Sequence, residues 1–239
     1  MKTAENPHLA HPAPEPTSFA ASMNIEQARF NMIEQQIRPW DVLDASVLSL
    51  LAIVKREDFV LEEHRALAFM DMELPLPEGQ QMLAPKLEAR LLQELAVRTH
   101  ERALEIGAGS GHMAALLAHQ AREVLSLEIR PALAQLAAHN LERAGVRNAE
   151  VRTADGALGL HGEAPFDVIL LSGSVAAVPQ SLLMRLAPGG RLAAIVGQQP
   201  IMRAVLYTRS AAAGFHSVEL FDTVAPRLDG FPEPSKFAF

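Results

Sequence analysis

The period of the apolar positions changes along the chain. Ile25, Phe30, Ile33 and Ile37 recur at helical spacing, and Pro39 is expected to end that helix. Asp44 is placed to cap a second helix carrying Val47, Leu48, Leu51 and Ile53. A short turn is expected around Arg56–Val60. Residues 73–85 hold Pro75, Pro77, Pro85 and Gly79, which predict an extended or looped stretch. Residues 86–97 then read as an amphipathic helix, with Pro85 just before its first turn. From Arg102 the pattern alternates. Strands are predicted at 102–106, 124–129, 149–153, 166–172 and 191–196, and helices at 112–120, 131–144 and 178–187. This rhythm predicts an α/β fold, a doubly wound and mostly parallel sheet with helices on both faces. Only residues 198–203 separate the strand ending near Gly197 from the next candidate, 204–208. A parallel crossover needs about a dozen residues. Antiparallel C-terminal strands are therefore expected, with 217–224 as the last, followed by a loosely packed tail at 231–239.

Composition narrows the class. The chain has 239 residues, of which 28 are acidic and 21 basic, giving a formal charge of −7. The negative balance argues against a nucleic-acid partner, which calls for a basic field. No apolar run reaches the roughly 18 residues of a membrane span. There is no cysteine, hence no thiol nucleophile, and no His/Asp/Glu set has metal-ligand spacing. Residues 1–22 carry Pro at 7, 12, 14 and 16 and predict a disordered tail without the apolar core of a secretory signal, so a cytoplasmic location is expected. Met23 is an alternative start. The chain then divides into the tail (1–22), a helical N-terminal section with a loop (23–100), and an α/β domain (101–239).

The densest chemical signal is Leu104-Glu105-Ile106-Gly107-Ala108-Gly109-Ser110-Gly111, between a predicted strand and helix. Glycines at 107, 109 and 111 let backbone approach a ligand without a Cβ clash. A dinucleotide fingerprint needs glycine at 112, where His112 stands. The acid two residues before the first glycine suits a ligand with a positive amino group and no pyrophosphate. Glu128 closes the second strand, where a carboxylate accepts ribose hydroxyls. Asp155-Gly156 follows the third strand, suited to an adenine amino group and its ring. Phe166–Ser172 ends at the same sheet edge.

Together these residues resemble an S-adenosylmethionine-dependent methyltransferase of Rossmann-like fold. Within it the chain is similar to the protein-L-isoaspartate O-methyltransferase family, from about Arg29 to Gly230. The likeness includes Met32–Ile37, Val54–Val60, Asp71, Leu74–Pro77, the glycine run, Asp155-Gly156, Pro165–Asp167 and Leu186–Gly197. It implies S-adenosyl-L-methionine as cofactor, with Glu105 at its methionine amino end and Ile106, Gly107, Ala108, Gly109 and Gly111 beneath it. It further implies Glu128 and Ile129 at the ribose, Asp155 and Gly156 at the adenine, and Ser172 by the methyl-transfer face. The implied reaction is methyl esterification of isoaspartyl carboxylates in damaged proteins, after which succinimide formation is favoured because methoxide is the better leaving group.

One loop departs from the family pattern. The family carries an active-site Ser in the segment before the third helix. Here Pro75–Pro85 is about two residues shorter, Gln81 and Met82 replace Thr and Ile, Leu83 replaces the Ser, and Lys86 stands where His often follows. Catalytic residues are therefore open, with Gln80, Gln81 and Ser172 as candidates. The acceptor is a protein or peptide isoaspartyl group or a small molecule, and a cofactor-binding scaffold without catalysis is the third alternative. His64 and His112 read as packed or exposed, Ser174 as a strand-end residue, Met70, Met72 and Met82 as gap-fillers beside the pocket, and Trp40 as an anchor for the N-terminal helices. Arg90, Arg98 and Arg102 read as a solvated helix face and the start of a strand.

Overall fold

The computed structural model describes residues 18–158, 162–163, 165–210 and 214–233. Residues 1–17 of the expected tail lie outside these. Helix α1 (Ser18–Met32) already includes residues 18–22 and runs into a π-helical turn at Ile33–Ile37 and a 3-10 turn at Arg38–Trp40. The π turn changes the phase of the helix, so Ile37 no longer marks the face of Phe30. Phe30 is 58% exposed, and Arg29 is buried in its place, paired with Glu57. Asp44 caps α2 (Ala45–Ile53), its side chain accepting the Ser46 N–H at 2.8 Å. Val47, Leu48 and Leu51 are buried as expected, but Ile53 is exposed at the last turn. The proline-rich stretch forms a small antiparallel hairpin, β1 (Leu74–Pro75) with β2 (Gln81–Met82). Helix α3 (Pro85–Leu95) takes Pro85 into its first turn and stops at Ala96, which adopts left-handed φ of 44°.

The main sheet contains β3 (Arg102–Ile106), β4 (Glu123–Glu128), β5 (Ala149–Thr153), β6 (Phe166–Val175), β7 (Leu186–Gln198), β8 (Ile201–Arg209) and β9 (Phe215–Thr223), in the order β5-β4-β3-β6-β7-β8-β9. The first four pairings are parallel and the last two antiparallel, as the short connection before β8 requires. Helices α4 (His112–Gln120) and α5 (Pro131–Arg143) follow β3 and β4. Central strands alternate their side chains between two cores. Ala103, Val124, Val168, Leu170 and Ala193 meet α2 to α5 on one face. Leu104, Leu125, Phe166, Ile169 and Leu192 meet the second core on the other.

That second face is thinly covered. The helix expected over 178–187 shrinks to α6 (Gln180–Leu183), and Leu186 belongs to β7. Leu182, Leu183 and Leu186 have helical spacing, yet Leu186 pairs with Phe166 as a strand residue before a register shift at Pro188-Gly189-Gly190. The chain after β9 supplies the missing cover. Phe231, expected in a loose tail, is buried among Leu104, Leu125 and Ile169 in this core. No helix among the described residues is long and apolar enough to cross a membrane.

Candidate active site

The parallel strands end along one edge, and the site lies there. β3 finishes at Ile106 and turns through Gly107 (φ 95°) and Gly109 (φ 52°). The N–H groups of Gly107 and Ala108 donate to the Leu127 carbonyl at 2.8 and 3.1 Å, tying the turn to β4. A Cβ on Gly107 would come within 2.7 Å of the end of the Leu228 side chain, which would have to shift, and the left-handed φ is the stricter demand for glycine. Gly111 has another task. It precedes α4 at φ 84°, and a Cβ there would stand 2.9 Å from the Ala137 carbonyl, so it lets α4 pack on α5.

Two carboxylates flank the turn. Glu105 is fully buried and accepts hydrogen bonds from Ser126 Oγ (2.6 Å) on β4 and Ser172 Oγ (2.7 Å) on β6. Burial pushes its carboxyl up to about 8, although both serine bonds pull it down. Glu128, also buried, accepts the Gly109 N–H on Oε2 and the Arg130 N–H on Oε1, both at 3.0 Å. Each oxygen keeps acceptor capacity for a further donor.

Most of the expected site residues share one cleft. Ile106, Gly107, Gly109, Glu128, Ile129, Gly156 and Ser172 line it together with Gln80 and Gln81. Ala108, Leu83, Glu105 and Ser172 meet in a small adjoining space. Asp155 sits at the margin. Its side chain accepts the Ala157 N–H at 2.9 Å and packs on Gly230, where a Cβ would approach to 2.5 Å. Gly156 leaves its space to Ile106.

Three features were not read from the sequence. A C-terminal strap, residues 225–229, closes the cleft. Ser174 holds it, donating its N–H to Pro226 O at 2.7 Å and accepting the Leu228 N–H at 2.9 Å. Ser174 therefore serves the strap. Second, Arg130 lines the cleft and pairs with Asp229 of the strap and with Glu78 of the hairpin turn, at 3.3 Å for Glu78. Third, Arg56 is buried behind the hairpin, paired with Glu88, and donates to the Leu83 carbonyl at 2.6 Å. His112 Nδ1 lies 3.0 Å from Glu88. Burial pushes the Glu88 carboxyl up, but Arg56 and His112 outweigh that and hold it below its ordinary range. Leu83 is thus buried and pinned through its backbone. Local periodicity carries no trace of these contacts, which join residues 24 to 99 positions apart.

The remaining singled-out residues are structural. Trp40 packs edge-on against Phe221 of β9, with ring centroids 5.8 Å apart, and Lys86 lies over its indole while pairing with Asp71 at 2.6 Å. It joins the N-terminal section to the sheet edge as well as anchoring helices. Arg102 is less solvated than expected, stacked over Phe166 and paired with Glu123 and Glu163.

Known proteins extend this picture. The model of the family described as Protein-L-isoaspartate(D-aspartate) O-methyltransferase matches residues 27–220. A protein-L-isoaspartate O-methyltransferase of Koribacter versatilis is 37% identical over 210 residues, covering 88% of this chain and 91% of its own. Protein-L-isoaspartate O-methyltransferase 1 of Syntrophobacter fumaroxidans is 41% identical over 184 residues, covering 77% and 86%. A solved Plasmodium falciparum structure in complex with S-adenosyl-L-homocysteine superposes with a TM-score of 0.73 at 20% identity, over 85% of this chain and 97% of that one. At that identity it speaks for the fold.

Proposed function

Because the chain belongs to the protein-L-isoaspartate(D-aspartate) O-methyltransferase family, we propose that its site methylates the isoaspartyl carboxylate of a peptide or protein. It is an S-adenosylmethionine-dependent methyltransferase. The residues present suit the cofactor. Glu105 is a buried acid pushed up to about 8, and the α-ammonium of the methionine end would supply the positive partner that favours its ionised form, with release of the proton. Glu128 would take the ribose hydroxyls, and Gly107 and Gly109 would pass beneath the ligand. Gly156, with Asp155 at the margin, would border the adenine. When bound, S-adenosylmethionine supplies a methyl carbon on a sulfonium sulfur, which a carboxylate oxygen takes with loss of the neutral thioether.

The protein's part is positioning. A carboxylate is already ionised at neutral pH and needs no general base. Orienting the acceptor and excluding water account for the catalysis asked of the enzyme. Ser172 connects the two halves of the site, since its hydroxyl holds Glu105 while its side chain borders both the cleft and the small space beside Leu83.

One observation carries the choice of a peptide acceptor. An open groove of about 1000 Å³ meets the cofactor cleft at Gln80, Gln81, Pro226 and Arg227. Gln80, Gln81, Gln198 and Gln199 line it. Side-chain amides both donate and accept, which matches a peptide backbone, whereas a small apolar acceptor would favour a closed apolar pocket. Steady-state kinetics with an isoaspartyl dipeptide and an isoaspartyl hexapeptide test this. The hexapeptide is expected to have a KM at least tenfold lower, and equal KM values would remove the groove from the account.

A further inference from the structure

Leu83 is buried and apolar and offers the acceptor side no side-chain donor. We propose that Arg227, where cleft and groove meet, binds the acceptor's carboxylate, an inference that rests on the acceptor class proposed above. Arg227 lies on the strap and lines both the cofactor cleft and the groove where they meet. It is the only basic side chain lining the groove among the described residues. Its backbone is fixed by pairing with Ser174 at the end of β6.

The guanidinium is only partly used. Nε pairs with Glu233 at 2.9 Å, and Nη2 donates to the Gly197 carbonyl at 3.0 Å. Nη1 is buried and has no partner among the described residues. Two of the five N–H donors are thus engaged, and the buried Nη1 reaches a ligand only when the side chain shifts toward the groove. Buried donors of this kind are rare, and a charged one left unmade is costly. A carboxylate satisfies such a donor with a charge-assisted hydrogen bond. Arg130, the other arginine at the cleft, is already engaged by Glu78 and Asp229. Two carboxylates also line the groove, Glu73, whose carboxyl burial pushes up, and Glu233, which is paired with Arg227 itself.

Arg227 has a binding role, since a single charge-assisted hydrogen bond holds one carboxylate oxygen and leaves the other free to react. Neutralising part of the carboxylate's charge lowers its nucleophilicity, so the benefit appears in KM more than in kcat.

Calorimetry on protein saturated with S-adenosylhomocysteine tests the assignment. Two hexapeptides serve as probes, one with a free isoaspartyl α-carboxylate and one with that group capped as a carboxamide. Wild-type protein is expected to prefer the carboxylate about 10- to 100-fold. Arg227→Ala and Arg227→Gln should bind both peptides alike, with Arg227→Lys retaining part of the preference. An unfolding midpoint within about 4 °C of wild type certifies each variant as folded, and the three substitutions guard against failure of any one. A preference undiminished in the folded variants would overturn the assignment. Wild-type protein without any preference for the carboxylate would refute the proposed acceptor class, and this inference with it.

Discussion

Ser172 Oγ on β6 donates a 2.7 Å hydrogen bond to Glu105 Oε1 on the adjacent strand β3, beneath the glycine turn. The acid it holds is buried and titrates at about 8. Between the unfolded value near 4.5 and 8, the folded protein keeps a proton that the unfolded chain has released. In ligand-free protein, this group's contribution to stability therefore falls as pH rises from about 4.5 to about 8. Urea midpoints of the wild type and Glu105→Gln across that window should converge at the acid end and separate toward pH 8, with the Gln variant more stable. Parallel pH profiles would contradict this.

The role proposed for Glu105 ties cofactor affinity to pH. Binding an ammonium group calls for the ionised carboxylate. S-adenosylhomocysteine affinity should rise by up to tenfold per pH unit between pH 6 and 7.5. Ser172→Ala removes a bond that favours ionisation and should weaken affinity at pH 7, less so at pH 8. A calorimetric series at fixed ionic strength reads both effects.

Glu128 receives two backbone N–H groups, from Gly109 and Arg130, and so is aimed before any ligand arrives. Charge-assisted hydrogen bonds contribute about 1.5–3 kcal/mol each. Glu128→Ala should weaken S-adenosylhomocysteine by at least tenfold. A change below twofold would remove Glu128 from the cofactor site.

Gly107→Ala meets both a left-handed φ of 95° and the Leu228 side chain at 2.7 Å. The expected cost is about 1–3 kcal/mol of stability. Cofactor affinity should fall as well, because the displaced strap borders the same cleft. Thermal melts with and without S-adenosylhomocysteine separate the two effects.

Leu83→Ser exchanges a buried side chain for a hydroxyl. Lost burial should destabilise the protein by about 2–3 kcal/mol. The restored donor should lower KM for an isoaspartyl peptide by about fivefold, the worth of one ordinary hydrogen bond of about 1 kcal/mol. An unchanged KM in a folded variant would show that Leu83 does not face the acceptor.

The sheet was legible because its central strands are buried on both faces. Phe166–Leu171 and the glycine turn after Ile106 announce themselves in any such fold. Glu105 and Glu128, the carboxylates proposed for the cofactor, were legible as polar residues at the ends of apolar strands, and both lie at the cleft. What escaped the sequence is non-local. Nothing in the spacing of Pro226, Arg227 and Leu228 says that Ser174 will hold them over the cleft. Nothing near Leu83 says that Arg56, 27 residues earlier, will fix its carbonyl. Phe30 misled because a π turn shifted the helix phase, and 178–187 because Leu186 has helical spacing but lies in β7. The cofactor half depends on local turns and strand ends. The acceptor half depends on segments brought together only by the finished fold.

The central claim is that this site esterifies isoaspartyl groups. Methyl transfer from radiolabelled S-adenosylmethionine to a hexapeptide with one isoaspartyl linkage, against the same peptide with a normal aspartyl residue, tests it most directly. The account predicts base-labile label on the isoaspartyl peptide alone, released as methanol at alkaline pH. A protein that binds S-adenosylhomocysteine yet leaves both peptides unlabelled would contradict it.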